Sequence, residues 1–214
     1  MPFLRNFVGM KIVCVGMNCR QNNNGPEGTL LNQACPSIYM KPDSCILRNR
    51  KPFFLPDKLG RVEFSGQLAV RISRLGKSIS SRFASRYWDA VTMGVSFVAT
   101  DMKNELESQG RPCELSYGFD GSAVLGDWIG KEQIEDIQNL NLRLDVDGST
   151  RQSGNTGIMI HSVDAIIEYV SCFCTVKTGD IIFAGALDIP CQAEIGQHLQ
   201  GYIGQKNVLD FHVR

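Results

Sequence analysis

The chain has 214 residues, with 22 Lys and Arg against 22 Asp and Glu, 43% hydrophobic residues and eight cysteines. That length suits one domain with a sizeable core, or two small ones. Zero formal charge excludes the basic surface that a nucleic-acid or anionic-membrane binder needs. No apolar run approaches the ~20 residues of a membrane helix. The stretch Met1 to Val8 is too short in apolar residues for a signal peptide, so a cytoplasmic protein is expected. Cys14, Cys19, Cys35, Cys45, Cys113, Cys172, Cys174 and Cys191 contain no Cys-x-x-Cys pair, and without an export signal they read as reduced thiols. His161, His198 and His212 lack zinc-site spacing.

In chain order, Lys11 to Gly16 reads as a buried strand stopped by glycine, and the Asn-rich stretch Asn18 to Gly28 as a loop. Ile38 to Lys41 forms a short strand before Pro42. Val62 to Ser73 is the clearest strand. Val62, Phe64, Leu68, Val70 and Ile72 are set on one side, and Glu63, Ser65, Gln67, Arg71 and Ser73 on the other. A helix is expected over Ser81 to Trp88, a strand over Val91 to Ala99, and a helix over Asp101 to Ser108 capped by Asp101.

Leu140, Leu142, Leu144 and Val146 alternate into Asp147-Gly148, which signals a hairpin turn. Ser162 can cap a helix carrying Val163, Ile166, Ile167 and Val170 on one face. Ile181 to Phe183 and Val208 to Val213 complete the strands. No flexible linker divides the chain, so one strand-rich α+β domain is expected.

Several of these segments together resemble the fumarylacetoacetate hydrolase family. They are Lys11 to Asn18 (KIVCVGMN), Met40 to Ser44 (MKPDS), Gly118 to Gly126 (GFDGSAVLG), Gln152 to Thr156 (QSGNT) and Lys177 to Ile182 (KTGDII). The resemblance runs from about Met10 to Arg214, leaving residues 1–9 as an N-terminal extension and Met10 as a possible start. It implies a mixed β-roll flanked by a few helices and usually a homodimer. Active members use Mg²⁺ or Mn²⁺ to polarise 1,3-dicarbonyl or 2-oxo acids for C–C cleavage, decarboxylation or isomerisation.

By that resemblance the family's Glu-x-Glu and Asp metal ligands fall on Ser65, Gln67 and Ser96 here. Hydroxyls and an amide can coordinate a hard cation but cannot neutralise it. Glu63 is one carboxylate near them along the strand. The family's acid/base pair falls on Asn22 and Gly25, its anchoring lysine on Tyr117 and its glutamine on Lys103. The remaining substrate-pocket positions fall on Asn155, Thr156, Gly185 and Ala186.

These changes lead to the expectation of a pseudoenzyme without a cofactor, serving assembly or binding a small anion beside Lys103. The alternative is a divalent-metal hydrolase, decarboxylase or isomerase acting on acylpyruvate-like or 2-oxo acid substrates. A third possibility is metal-independent chemistry through Cys19 or Tyr117.

Overall fold

The computed structural model describes residues 9–19, 35–48 and 50–214. Asn22 and Gly25, residues 1–8 of the N-terminal extension and most of the Asn-rich loop lie outside the described residues. The larger sheet holds nine strands among the described residues. They are β1 (Lys11–Gly16), β2 (Ser37–Pro42), β3 (Ile46–Arg48), β4 (Val62–Ile72), β5 (Trp88–Ala99), β6 (Ala123–Leu125), β7 (Ile129–Gly130), β10 (Ile181–Ala186) and β11 (Cys191–Gln192). The path runs β2-β1-β10-β4-β5-β6-β3, with β11 on β4 and β7 on β5. A four-stranded sheet runs β13-β12-β8-β9, from β8 (Asn141–Val146), β9 (Ser149–Asn155), β12 (His198–Ile203) and β13 (Lys206–His212).

Mixed pairing follows from the connections. The β1–β10 and β3–β6 pairs are parallel and the remaining ladders antiparallel. The large sheet curls. Lys41 on β2 donates to the carbonyls of Phe97 on β5 (2.8 Å) and Ser122 (2.7 Å). Those strands are four places apart, roughly 19 Å in a flat sheet at the usual ~4.8 Å spacing. A lysine side chain spans only a fraction of that distance, so β2 must fold back over the sheet.

Alternation on β4 is as expected, but both of its faces are buried. Phe64, Leu68, Val70 and Ile72 join Met93, Val95 and Phe97 of β5 in the main core. There they meet Leu142, Leu144, Leu199, Leu209 and Phe211 of the smaller sheet. The opposite face of β4 carries Ser65, Gln67 and Ala69 into the roll, where Ala69 packs with Ile12, Cys14, Ala123, Leu125 and Phe183.

Four α-helices lie among the described residues: α1 (Ser81–Ala84), α2 (Thr100–Ser108), α3 (Glu114–Tyr117) and α4 (Val163–Phe173). Helix α4 meets expectation: Ser162 Oγ accepts from Ala165 N at 3.2 Å, and Val163, Ile166, Ile167 and Val170 are buried. The Asp147-Gly148 turn is likewise observed, with positive φ at both residues (51° and 76°), the twist that joins β8 to β9 without splaying them.

Two expectations are corrected. The helix over Ser81 to Trp88 stops at Ala84 because Trp88 instead pairs with Ile72 and begins β5. Asp101 does not cap α2: Ala99 stands at the cap, and the Asp101 carboxylate turns to accept from Arg61 N at 2.7 Å. The cysteines of the described residues are free thiols.

Candidate active site

Ser65 and Ser96 sit directly opposite each other in the β4–β5 ladder, which brings the sequence-derived ligand positions together. Gln67, two residues along the same face, donates from Nε2 to Ser65 Oγ at 3.1 Å. All three are buried, at 7%, 3% and 1% exposure for Ser65, Gln67 and Ser96. Gln67 Oε1 and Ser96 Oγ have no hydrogen-bond partner among the described residues. A buried polar atom left unpaired costs about 1–3 kcal/mol, so this is a cluster with unspent hydrogen-bonding capacity.

Next to it stand two tyrosines that the alternation of β2 and the short helix α3 place together. The rings of Tyr39 and Tyr117 lie 4.5 Å apart at a 34° tilt. Burial is the main reason that both phenols are held above their ordinary pKa. Tyr39 also interacts with Ser96 and Cys14.

Lys103, on α2, interacts with Tyr117 and pairs with Glu107 at 3.5 Å. Burial opposes its charge, but Tyr117 and Glu107 outweigh that and raise its pKa. The ammonium is therefore charged and the phenol neutral near pH 7. The sequence carried no sign that Tyr39 belongs to this cluster; its place depends on the curl of β2.

Other sequence-derived positions serve the frame. Thr156 Oγ1 accepts from Leu140 N and donates to Ile137 O, both at 2.8 Å. Asn155 donates to Asn139 and Asn141 and accepts from Gly157 N. Gly185 has φ +112°, and a Cβ there would lie 2.6 Å from Asn18 Cβ. Ala186 pairs with Gln67 across the β10–β4 ladder. Gln152 accepts from Gly66 N and donates to Ile189 O, both at 2.7 Å, fixing the backbone between Ser65 and Gln67.

The donors do not fit a hard divalent cation. Ser65, Gln67 and Ser96 bring no charge, and Glu63 is held by Thr100 Oγ1 (3.0 Å) and Arg61 Nε (3.6 Å). Among the described residues no three His, Cys, Asp or Glu side chains converge as a metal site would require.

A curled mixed sheet with polar residues collected on its inner face, backed by a second antiparallel sheet, defines the protein class. The family model of the fumarylacetoacetate (FAA) hydrolase C-terminal matches residues 11–213, and the chain belongs to that family. It is 30% identical to the rat mitochondrial oxaloacetate tautomerase over 177 residues, 83% of this chain and 79% of the relative. Identity to the mitochondrial oxaloacetate decarboxylase of Dictyostelium discoideum is 29% over 178 residues, 83% and 81% of the two chains. The crystal structure of 2-hydroxyhepta-2,4-diene-1,7-dioate isomerase from Mycobacterium marinum superposes with a TM-score of 0.82 at 30% identity, covering 96% of this chain and 74% of that one.

These findings correct the expectation of a pseudoenzyme. Relatives at about 30% identity are named as tautomerase and decarboxylase, and nothing in the site shows that activity has been lost. The expectation gave too much weight to three carboxylates. Tautomerisation breaks only C–H and O–H bonds, so a neutral set of hydrogen-bonding groups is not by itself a sign of inactivity.

Proposed function

We propose that this protein is an enzyme acting on small 2-oxo acids of the oxaloacetate class, interconverting keto and enol forms. The observation that carries this reading is the 30% identity, over 83% of the chain, to a named oxaloacetate tautomerase. In the reaction C3 gives up a proton, the C2–C3 bond gains double-bond character, and the C2 oxygen takes a proton. A group that donates to that oxygen as charge builds on it lowers the barrier, typically by about 3–4 kcal/mol. The neutral phenol of Tyr117 is the group we assign to that role, steadied by Lys103.

The test follows the decay of enol-oxaloacetate absorbance in a weakly buffered solution. Purified protein is expected to accelerate it well above the buffer rate, and Tyr117→Phe to lose most of that acceleration. No acceleration of tautomerisation, with or without Mg²⁺, overturns the reading. Pyruvate appearing in step with protein concentration would replace tautomerisation by decarboxylation, the activity named for the Dictyostelium relative.

The reading includes a homodimer. It is supported by an apolar groove of about 730 Å³ lined by Leu47, Phe53, Phe54 and Phe119, with Phe54 69% exposed. Light scattering at micromolar concentration is expected to give twice the mass of the chain; a monomer counts against it. No helix among the described residues is long and apolar enough to cross a membrane. A cytoplasmic location is part of the proposal, although the rat and Dictyostelium relatives are named as mitochondrial.

A further inference from the structure

The roll has two ends, and the polar cluster occupies one of them. Along β4 the inner face runs Ser65, Gln67, Ala69 and Arg71, because every second side chain shares a face. Arg71 therefore stands roughly 13 Å along the strand from Gln67, at ~3.3 Å per residue. Between them Ala69 packs with Ile12, Cys14, Ala123 and Phe183, all fully buried, and this apolar layer parts the two ends.

At the far end a cavity of about 470 Å³ opens between strands that are four places apart in the sheet, β10 and β3. The curl that folds β2 over β5 is what brings them to one mouth. Ile46, Leu125 and Ile181 form the apolar floor, and Arg48, Arg71 and Trp128 line the opening. Leu125 and Ile181 are buried, Arg71 and Trp128 half-buried, and Arg48 exposed. The volume lies within the roughly 300–1,000 Å³ of small-molecule sites.

The charges at this mouth are incompletely answered. Arg71 donates from Nε to Asp89 at 2.8 Å and lies over the Trp128 ring, 5.2 Å from its centroid. Its Nη groups make no hydrogen bond among the described residues, and the Arg48 side chain makes none there either. Asp127, which also lines the cavity, is paired loosely with Arg50 at 4.0 Å. Arg48, Arg50 and Arg71 set against Asp89 and Asp127 leave one positive charge. A guanidinium fixed by an indole on one face and a carboxylate on one edge keeps its remaining N–H fork ready for a second carboxylate.

We propose that this mouth is a second binding site, separate from the polar cluster, and that it takes a planar aromatic carboxylate. The carboxylate meets the Nη edge of Arg71, with Arg48 as the second cation, and the ring covers Ile46, Leu125 and Ile181 beside Trp128. A phosphate would satisfy the arginines and leave the apolar floor wet; a neutral arene would cover the floor and leave the charge unanswered. The site does not depend on the tautomerase reading.

The probe is 2-naphthoate, titrated calorimetrically into the full chain, with 2-naphthamide as its uncharged counterpart. Wild type is expected to bind one naphthoate per chain and the amide far more weakly. Arg71→Met and Arg48→Met should each weaken binding at least about fivefold. Arg48 is exposed, so its variant reports on the site even if Arg71→Met fails to fold. Lys103→Met, at the other end of the roll, should bind as wild type does. The chain has two tryptophans, so the indole N–H signal that Trp128→Phe removes should shift on titration while that of Trp88, 5% exposed, stays in place. The proposal is overturned if naphthoate does not bind, if the amide binds as tightly, if Arg48→Met binds as wild type does, or if Lys103→Met abolishes binding. A Trp128 signal that stays still on saturation overturns it as well.

Discussion

Replacing Lys41 by Met is expected to cost little near neutral pH and several kcal/mol in alkali. Lys41 is 1% exposed, forms no ion pair among the described residues, and gives its amine to two backbone carbonyls across the roll. Burial is the main cause that lowers its pKa from 10.5 to about 8, against smaller opposing effects of Cys14 and Cys45. Between pH 8 and 10.5 the unfolded chain therefore holds a proton that the folded chain has released. Stability through this group rises with pH across that window, by about 3 kcal/mol at 1.36 kcal/mol per pKa unit.

Below pH 8 the lysine is charged in both states. Its two hydrogen bonds then offset the expense of burying a charge, and the variant should lose only about 1–2 kcal/mol. Cys14 works in the other direction: burial raises its thiol to about 11, so its contribution falls as pH climbs from 9 to 11. Denaturant titrations of wild type and Lys41→Met, both in a Cys14→Ala background, isolate the lysine. A gap between the two that stays constant from pH 7.5 to 10.5 would rule out this account.

Asn18→Ala is expected to destabilise the protein by about 3–4 kcal/mol, from three hydrogen bonds in a site closed to water. Asn18 is 1% exposed; its Nδ2 donates to Ala184 O (2.7 Å) and His161 O (3.0 Å), and its Oδ1 accepts from His161 N (2.7 Å). It thereby fastens the end of β1 to β10 and to the segment leading into α4. Truncation strands buried backbone groups where β10 passes close by, since a Cβ on Gly185 would lie 2.6 Å from Asn18 Cβ. For a chain of this size the melting temperature should drop by about 10 °C. Asn18→Asp should fall nearly as far, since it keeps the acceptor and forfeits both donors. A shift below 3 °C in both variants would show that Asn18 is dispensable.

Elements whose signals are local were legible from residue order. Helix α4 has its cap and apolar stripe within twelve residues, and the β8–β9 turn needs only Asp147 and Gly148 to accept positive φ. Trp88 reads equally well at the end of a helix or the start of a strand. Its pairing with Ile72, sixteen residues away, decides for the strand. Strand β12 gives no signal in residue order because Gln200 and Gly201 interrupt its apolar pattern; Gly201 is needed where Met93 and Leu209 crowd in.

For the site, the spacing Ser65-x-Gln67 fixes two side chains on one face, and family resemblance pointed to Ser96 across from them. Reading charge alone from those three positions then led to the mistaken expectation of inactivity.

The sequence by itself determined the family, the inner and outer faces of β4, the α4 helix and the neutral character of the three ligand positions, since each depends on residue identity and short-range periodicity. Only the tertiary structure decided that Tyr39 and Tyr117 stack, that Lys103 reaches Tyr117, and that Lys41 spans the roll. Those contacts join residues more than a dozen positions apart, and they exist because sheet twist accumulates strand by strand until β2 closes over β5.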